Sequence, residues 1–483
     1  MDYRITVLPE GSIMTAKAGA VLLDVLREAG CFVDAPCGGQ GKCGKCTAWV
    51  DGTAVKSCHY IVNRDMTVEL PKTEKLQVLE RGTALASVGA GEGYAAAFDI
   101  GTTTVVCALL DPQGNTLAVE SMANPQATYG ADVVSRITSA VRGQGSAMTA
   151  MIRSAMTELL AACCAAAELA PEQIETVSVV GNPAMQQLFM GIPLDNLATV
   201  PFAPVITEAK KCDAGEYLPM CSKARLLVVP DLGGFVGADT VACILASRLY
   251  EAEDTVLLVD IGTNGEMVLC HRGRMVACST AAGPALEGTN IQFGMRAASG
   301  AIDRITEDGI HIIGGGDARG ICGSGLIDAV AVMLDQGILN RRGRVLTEKH
   351  NYELVDGVFL TQEDIRQVQL AKGAIAAGIE LMAQHLGIRV EDIDRCLLAG
   401  AFGAYLDPDS ACRIGLLPEA LRGKITAAGN LALEGAKLLA MEPQQLDLTR
   451  ELTDRVEFME LASQPGFQRQ FAGNMFFREE NHG

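Results

Sequence analysis

The sequence predicts two units, a small α+β domain at the N-terminus and a much larger α/β fold built from two similar halves. Two observations support this prediction. Three cysteines and four glycines fall within the thirteen residues DAPCGGQGKCGKC at 34–46. The stretch AAAFDIGTTTVVCALLD at 95–111 is repeated in outline by TVLLVDIGTNGEMVLCH at 255–271.

Composition places the chain among globular proteins and excludes some partners. The 483 residues are 49% apolar and 20% charged, and a chain of this length has room for roughly three domains. The net charge of −19 disfavours binding to nucleic acid or to an anionic membrane. The start, MDYRITVLPEGS, lacks the pattern of a signal peptide, and the apolar stretch at 156–170 is too short to span a bilayer. We therefore expect a cytoplasmic protein.

The N-terminal domain is predicted from its order of elements. Residues 3–7 and 11–16 have strand character, and GAVLLDVLREAG at 19–30 has the spacing of a helix that stops at Gly30. The cysteine-rich loop follows, then the strand TAWV, a turn at Asp51-Gly52 and a last strand, MTVELP. This order is typical of a small ferredoxin sheet.

Four cysteines in this domain have the spacing of an iron–sulfur site. Cys37, Cys43, Cys46 and Cys58 form the pattern C-x5-C-x2-C-x11-C, close to the C-x4-C-x2-C of plant-type 2Fe-2S proteins. A cluster needs backbone N–H donors close around it, and glycine allows the chain to fold that tightly. Gly38, Gly39, Gly41 and Gly44 meet this need. The other twelve cysteines are expected to be mostly small buried hydrophobic residues, with Cys31 the nearest false candidate.

Other interpretations of the loop fit less well. Structural zinc usually pairs two C-x2-C knuckles, GGQGKC lacks the phosphate-loop pattern, and a redox C-x-x-C leaves Cys37 and Cys58 without a role. Residues 1–72 resemble a plant-type 2Fe-2S ferredoxin domain, which implies a ferredoxin-like (β-grasp) fold. The extra residue between Cys37 and Cys43 departs from the commonest spacing. Residues 73–93 show no strong period and end in glycines, which predicts a linker.

The repeat in the larger part carries a phosphate-binding pattern. Each copy has an apolar strand, the residues Asp-Ile-Gly-Thr and a second apolar strand, with Asp99 and Asp260 in matching positions. A Gly-Thr turn at a strand end directs N–H groups and hydroxyls towards one point, and the preceding Asp can hold Mg²⁺ directly or through water. The candidate phosphate-binding residues are Gly101, Thr102, Thr103, Gly262, Thr263 and Asn264.

Two further motifs complete the pattern. IDRCLLAGAFGAYLDP at 393–408 ends a strand with Gly400 and Gly403, whose small size suits packing against adenosine. GICGSGLIDAVAVML at 320–334 begins with glycines and suits a hinge helix. In this order the motifs resemble the superfamily of acetate kinase, sugar kinases, heat-shock chaperones and actin. The resemblance implies a duplicated α/β actin-like ATPase fold, with halves at 94–254 and 255–483, that binds ATP and Mg²⁺.

A narrower resemblance covers nearly the whole chain. Five stretches (130–137, 179–191, 230–240, 278–302 and 320–330), among them PDLGGFVGADT and CSTAAGPALEGTNIQFGMRAASGAI, are similar to the reductive activators of corrinoid-dependent proteins. The resemblance implies one-electron reduction of a corrinoid protein of a methyltransferase system from Co(II) to Co(I), an upstream electron donor and a possible homodimer. Larger members carry a separate middle domain, which is not expected here because only about twenty residues join the two parts.

The catalytic residues are less defined. Asp99 and Asp260 are candidates, and Glu266 could orient an attacking water or could be an ordinary strand residue; Asp231 is a similar candidate. Three other functions remain open: an activator of a radical dehydratase, a small-molecule kinase with a redox sensor, and a nucleotide-switched binding module with a structural cluster. No G-x-G-x-x-G follows a strand, so nicotinamide chemistry is not expected in this chain.

Overall fold

The computed structural model describes residues 2–9, 11–31, 33, 35, 38–39, 41, 44–71, 89–306, 308–403 and 405–478. Within these ranges the chain forms one five-stranded and two six-stranded sheets, with two smaller sheets inserted in the second half.

The N-terminal domain is a mixed sheet packed on one helix. Its elements are β1 (Asp2–Leu8), β2 (Ser12–Lys17), α1 (Leu22–Glu28), β3 (Thr47–Val50), β4 (Thr53–Lys56) and β5 (Met66–Glu69). The strand order is β2-β1-β5-β3-β4, with β1 and β5 parallel. Leu22, Leu23 and Leu26 of α1 are buried in the core of this domain. The predicted strands and helix are present, but β4 was missed; Trp49 on β3 is 38% exposed.

The first half of the larger fold is a six-stranded sheet with helices. Its strand order is β10-β11-β9-β6-β7-β8. Its elements are β6 (Tyr94–Ile100), β7 (Thr104–Leu110), β8 (Thr116–Ala123), α2 (Val133–Ser139), α3 (Gly145–Ala166), β9 (Ile174–Gly181), α4 (Pro183–Met190), α5 (Asp195–Ala198), β10 (Lys210–Asp213), β11 (Arg225–Val228) and α6 (Ala238–Ser247).

The second half repeats this plan with insertions. Its main sheet has the order β21-β20-β12-β13-β14-β22. Its elements are β12 (Val256–Ile261), β13 (Gly265–His271), β14 (Arg274–Thr280), β15 (Ala301–Thr306), β16 (Gly309–Ile312), β17 (Gly320–Ile321), α7 (Gly323–Asp335), β18 (Asn351–Val355), β19 (Val358–Thr361), α8 (Gln362–Leu386), β20 (Arg395–Ala399), α9 (Gly400–Gly403), α10 (Pro408–Ile414), β21 (Ile425–Gly429), α11 (Leu431–Met441), α12 (Gln445–Arg455), β22 (Val456–Phe458) and α13 (Phe467–Asn474).

The two halves have matching strand pairings. In the first half β6, β7 and β8 form an antiparallel meander, and β9 lies parallel to β6. In the second half β12, β13 and β14 form the same meander, and β20 lies parallel to β12. The repeat in the sequence therefore corresponds to a repeat in the fold, and both Asp-Ile-Gly-Thr segments end the strand that starts each meander.

Helices α6 and α11 cross between the two sheets. Their buried side chains share one core with Ala95 and Ala97 of β6 and with Leu258 of β12. The crossing is close because Gly435 of α11 lies against the backbone of Ala242 in α6: a Cβ at Gly435 would come within 2.2 Å of the Ala242 carbonyl oxygen. This contact helps set the spacing of the halves.

Arg27, in the last turn of α1, joins the N-terminal domain to the first half. Its Nε donates to Thr128 Oγ1 at 3.2 Å, its Nη2 donates to the Thr128 carbonyl, and its guanidinium lies 5.0 Å from the centre of the Tyr129 ring. Residues 73–88 of the predicted linker, together with residue 72, lie outside the described residues. Gly89 N donates to Glu442 Oε1 at 3.3 Å, so the last part of that segment contacts the second half.

One helical segment in the described ranges is long and apolar enough to cross a bilayer by length and composition. It runs over 34 residues, Val133–Ala166, with a mean hydropathy of 1.2. Residues 156–166 of the stretch 156–170 are therefore part of a longer helix than expected, and the helix ends at Ala166. In the structure α3 packs against β7 and β8, with Ile152 and Met156 buried in the core of the first half.

The α6–α11 crossing gives a stability prediction. Gly435→Ala should destabilise the protein by about 1–3 kcal/mol, because the new methyl group meets backbone that has no room to move. Gly473→Ala in α13 is the matched control: no atom lies within 4 Å of its added Cβ, and the better helix propensity of alanine should be worth up to ~1 kcal/mol. Denaturant unfolding measures both variants, and equal midpoints would contradict the close crossing.

Candidate functional site

A cavity of about 720 Å³ opens between the two halves, where the repeated turns face each other. Most of the residues predicted to bind a nucleotide or to act in catalysis line it: Asp99, Gly101, Thr102, Thr103, Asp260, Gly262, Thr263, Asn264, Glu266 and Gly400. Gly403 does not line it, because it lies in α9 against Leu398 of β20. Asp231 is also set apart; it is 3% exposed and accepts a hydrogen bond from Ala238 N at 3.2 Å.

Three asparagines hold in place the turn that follows β6, residues 101–103, which is called the first turn. Asn124 Nδ2 donates to the Gly101 carbonyl at 2.8 Å, Asn182 Nδ2 to Thr102 Oγ1 at 3.0 Å, and Asn430 Nδ2 to Asp99 Oδ2 at 2.9 Å. Each asparagine also uses Oδ1 to cap the helix that follows it. The amide groups thus tie helix N-termini from both halves to the first turn.

A buried arginine also stabilises the first turn through a hydrogen bond to its backbone. Arg136 is fully buried; its Nη2 donates to the Thr102 carbonyl at 2.5 Å and its Nε to the Gly130 carbonyl at 2.9 Å. Burial lowers the pKa of Arg136 to about 9, so the guanidinium stays protonated at neutral pH. It places a positive charge next to an acidic cavity.

The second turn, residues 262–264 after β12, depends on the absence of a side chain at Gly400. A Cβ at Gly400 would lie 2.3 Å from Asp260 Oδ1, and this glycine also has a positive φ of 84°. The sequence predicted Gly400 as a contact for adenosine, whereas in the structure its first role is to leave room for the carboxylate of Asp260.

A single carboxylate joins the two turns across the cavity. Glu287, at the end of the 3₁₀ helix Pro284–Glu287, accepts from Thr103 Oγ1 at 2.6 Å and from Thr263 Oγ1 at 2.5 Å through the same atom, Oε2. The two hydroxyl oxygens are 3.0 Å apart. The first and second turns therefore converge on one point, as the prediction of a two-sided phosphate site requires.

The cavity also gathers acidic side chains with raised pKa values. Burial raises the pKa of Asp99 to about 6 and those of Asp239 and Asp260 to about 7, with the charge of Asp99 the next cause for the latter two. Burial, followed by the charges of Asp239 and Asp260, raises the pKa of Glu266 well above its ordinary value. The mutual repulsion favours a bound cation.

Glu266 breaks the symmetry of the repeat. It pairs with Asp260 across β12 and β13, whereas Asp99 pairs with Val106 in the first half. Glu266 Oε1 also accepts a hydrogen bond from Ser279 Oγ at 3.2 Å. The strand that follows the second turn therefore carries a carboxylate opposite the Asp, whereas the strand that follows the first turn carries a valine there.

The described part of the chain does not contain a ready-made set of metal-binding side chains. Across those ranges no group of three or more His, Cys, Asp or Glu side chains is arranged to hold a metal ion. A cation in the cavity would therefore complete its coordination with water or with ligand oxygens.

Two of the four predicted cluster cysteines are described in the N-terminal domain. Cys46 Sγ and Cys58 Sγ lie 3.3 Å apart, both buried, at a distance that leaves them unbonded to each other. His59 Nδ1 lies 3.0 Å from Cys58 Sγ, and the ring occupies the space where a Cβ of Gly41 would be. Cys37 and Cys43 lie outside the described residues.

Sequence reasoning missed Asp239, Glu287 and the three asparagines as functional candidates. Asp239 lies in PDLGGFVGADT and Glu287 in AAGPALEGTNI. Both stretches are similar to the corrinoid activators, but the sequence alone did not assign a role to either residue. Asn124 and Asn182 each precede a proline, which is the sequence signal of a helix cap. That signal predicts the capping by Oδ1 but does not predict which acceptor the Nδ2 atom of the same side chain binds.

Comparisons with known proteins match the whole larger fold. The family model for the C-terminal domain of RACo, the ASKHA domain, matches residues 254–483, and the model for the RACo middle region matches residues 94–252. The expectation that this chain lacks a middle region is therefore wrong: residues assigned to the first half correspond to it.

Similar proteins are named as corrinoid activators. The corrinoid activation enzyme RamQ of Eubacterium limosum is 33% identical over 419 residues, which are 80% of this chain and 70% of that protein. The [Co(II) methylated amine-specific corrinoid protein] reductase of Methanosarcina barkeri is 29% identical and covers 59% of each chain. The solved structure of a reductive activator for corrinoid, iron-sulfur protein aligns over 98% of both chains with a TM-score of 0.73 and 26% identity.

The raised pKa values give a prediction about pH. Because Asp99, Asp239 and Asp260 bind protons more tightly in the folded protein than in the unfolded chain, their contribution to stability should be complete below about pH 4 and should be lost as the pH rises from about 4 to about 7. In the metal-free protein Asp239→Asn should reduce this fall, measured as thermal unfolding, by roughly 2–4 °C. An identical fall in the variant and the unaltered protein would contradict the assignment.

Proposed function

This chain belongs to the RACo family of corrinoid activators, and on that premise we propose that it returns a corrinoid protein from Co(II) to Co(I) in an ATP-dependent one-electron reduction. The observation that carries the proposal is the alignment over 98% of both chains with a reductive activator, since it includes the cysteine-bearing domain as well as the cavity. Similarity over the larger fold alone would support nucleotide binding but would leave the source of the electron unexplained.

The N-terminal domain is proposed to be a ferredoxin-type domain that holds a 2Fe-2S cluster through Cys37, Cys43, Cys46 and Cys58. The geometry of the described pair fits, since two buried thiols 3.3 Å apart without a bond between them can serve as neighbouring thiolates. When bound, the cluster would supply one electron. His59 Nδ1 is placed to donate to Cys58 Sγ, which would stabilise the thiolate.

The cavity is proposed to bind ATP with Mg²⁺. The N–H groups and hydroxyls of the two turns would hold the phosphates, and Asp99 and Asp260 would orient the water around the cation. The small residues at the end of β20 and β21, among them Gly400 and Gly429, would leave room for adenosine. Glu266 would orient the attacking water, because its carboxylate lies beside Asp260 and its raised pKa suits proton transfer.

ATP is needed because reduction of Co(II) is uphill for a ferredoxin-type donor. Each additional 100 mV for one electron amounts to about 2.3 kcal/mol, which a nucleotide-driven conformational change can supply. ATP biases such a change only if it binds two states of the protein differently. A cavity formed by both halves meets this condition, since any change in their spacing alters the contacts to the nucleotide.

The cluster domain is further proposed to move on the 73–93 segment. A flexible chain of about twenty residues has a root-mean-square reach of roughly 25 Å. In the structure Arg27 anchors the domain to Thr128 and Tyr129, so movement would begin with the loss of these contacts. An upstream electron donor, a cytoplasmic location and a possible homodimer belong to the same proposal.

The cluster assignment predicts metal content. After anaerobic reconstitution the protein should hold about two irons and two sulfides per chain and should absorb visible light. Cys46→Ser should lose most of the iron, whereas Cys31→Ser, outside the proposed ligand set, should keep it. Iron and sulfide analysis measures the outcome; one zinc per chain in a colourless protein would refute the cluster.

The activity itself is tested by following the Co(I) absorption band. Reduced protein mixed with a corrinoid protein should form Co(I) only when ATP and Mg²⁺ are present. Cys46→Ser should abolish reduction but still bind nucleotide.

Asp260→Ala should keep the cluster spectrum but lose tight Mg-ATP binding, with at least a tenfold weaker affinity. Phosphorylation of an added small acceptor, without any Co(I), would instead favour a kinase.

A further inference from the structure

Glu287 occupies the point where the two turns converge. Its Oε2 is the shared acceptor for Thr103 Oγ1 and Thr263 Oγ1, and its Oε1 lies on the side of Gly262. Glu287 follows the strand β14 in a short 3₁₀ helix and so belongs to neither turn. A side chain from a third segment therefore closes the contact between the first and second turns.

The contact with Glu287 uses the hydroxyl hydrogens of Thr103 and Thr263. Each threonine hydroxyl has one hydrogen, and both hydroxyl oxygens lie within hydrogen-bond distance of the same carboxylate oxygen. Both hydrogens are used within this group, either by Glu287 Oε2 or, for one of them, by the other hydroxyl oxygen 3.0 Å away, so that neither hydroxyl donates to a further acceptor. The side-chain donors expected to bind a phosphate are thus engaged by a carboxylate in this structure.

We propose that Glu287 Oε2 stands in for an oxygen of the terminal phosphate of ATP and makes the cavity distinguish ATP from ADP. This inference rests on the proposed binding of nucleotide between the turns. A carboxylate oxygen and a phosphate oxygen accept the same hydrogen bonds, and both are negatively charged, so they exclude each other from this point. The third phosphate of ATP displaces Glu287, whereas ADP leaves it in place.

Displacement of Glu287 by the third phosphate changes the contact between the two halves. While Glu287 accepts from both threonines, it ties the two halves together at the turns. When a phosphate takes over those donors, the 3₁₀ helix Pro284–Glu287 is released from the turns. Glu287 is thus a specificity-determining residue: it lowers the affinity for ATP and links the presence of the third phosphate to the connection between the halves.

The test compares the binding of two nucleotides to the cluster-loaded full chain. Isothermal titration with Mg-ADP and with a non-hydrolysable Mg-ATP analogue is carried out on the unaltered protein, Glu287→Ala and Glu287→Gln. Glu287→Ala should bind the analogue about tenfold more tightly while its ADP affinity stays within about twofold. Glu287→Gln, which keeps the size and one acceptor but loses the charge, should change in the same direction. Glu451→Ala, on the exposed face of α12, removes a carboxylate elsewhere and should leave both affinities unchanged.

The outcomes separate this inference from the proposed function. If the unaltered protein binds neither nucleotide, the proposed function fails. If it binds both and the ratio of the two affinities is the same in Glu287→Ala, displacement is refuted. A weaker analogue affinity in both variants would also refute it, because Glu287 would then help to bind ATP. Unchanged affinities with a loss of hydrolysis would make Glu287 a catalytic group instead.

Discussion

The close crossing of α6 and α11 is the contact on which the rest of the larger fold depends. Gly435 brings the two helices together between the sheets, and the same core includes strands from both halves. Since β6 and β12 belong to that core, the distance between the ends of these strands is fixed by helix packing. The two turns that follow the strands can then meet through Glu287, and the cavity has a defined width.

Charge is arranged unevenly within that cavity. Asp99, Asp239, Asp260 and Glu266 crowd one region, and their raised pKa values reflect the work of burying several carboxylates together. Although both halves share the same strand plan, the second half carries Glu266 opposite Asp260, whereas the first half carries Val106 opposite Asp99.

The sequence predicted the repeat, both turns and the order of the N-terminal elements, because strand patterns and Gly-Thr turns are local properties. It missed β4, whose four residues have no apolar alternation, and it placed Gly403 in the cavity although that residue packs on Leu398. Glu287 and Asn430 could not be predicted, because their contacts join segments far apart in the chain. The second amide atom of each capping asparagine is likewise fixed by tertiary packing. The cluster cysteines and the 73–93 linker stay predictions from spacing and composition.

Trp49 has a practical consequence that follows from its place in the fold. It is the single tryptophan of the chain, and it lies on β3 of the N-terminal domain with part of its ring in solvent. Indole fluorescence therefore originates entirely from the smaller domain, and excitation at the red edge of the indole band, where tyrosine does not absorb, leaves the larger fold silent. The chain thus carries an intrinsic optical label, and emission or anisotropy can follow the smaller domain within the intact protein without any added dye.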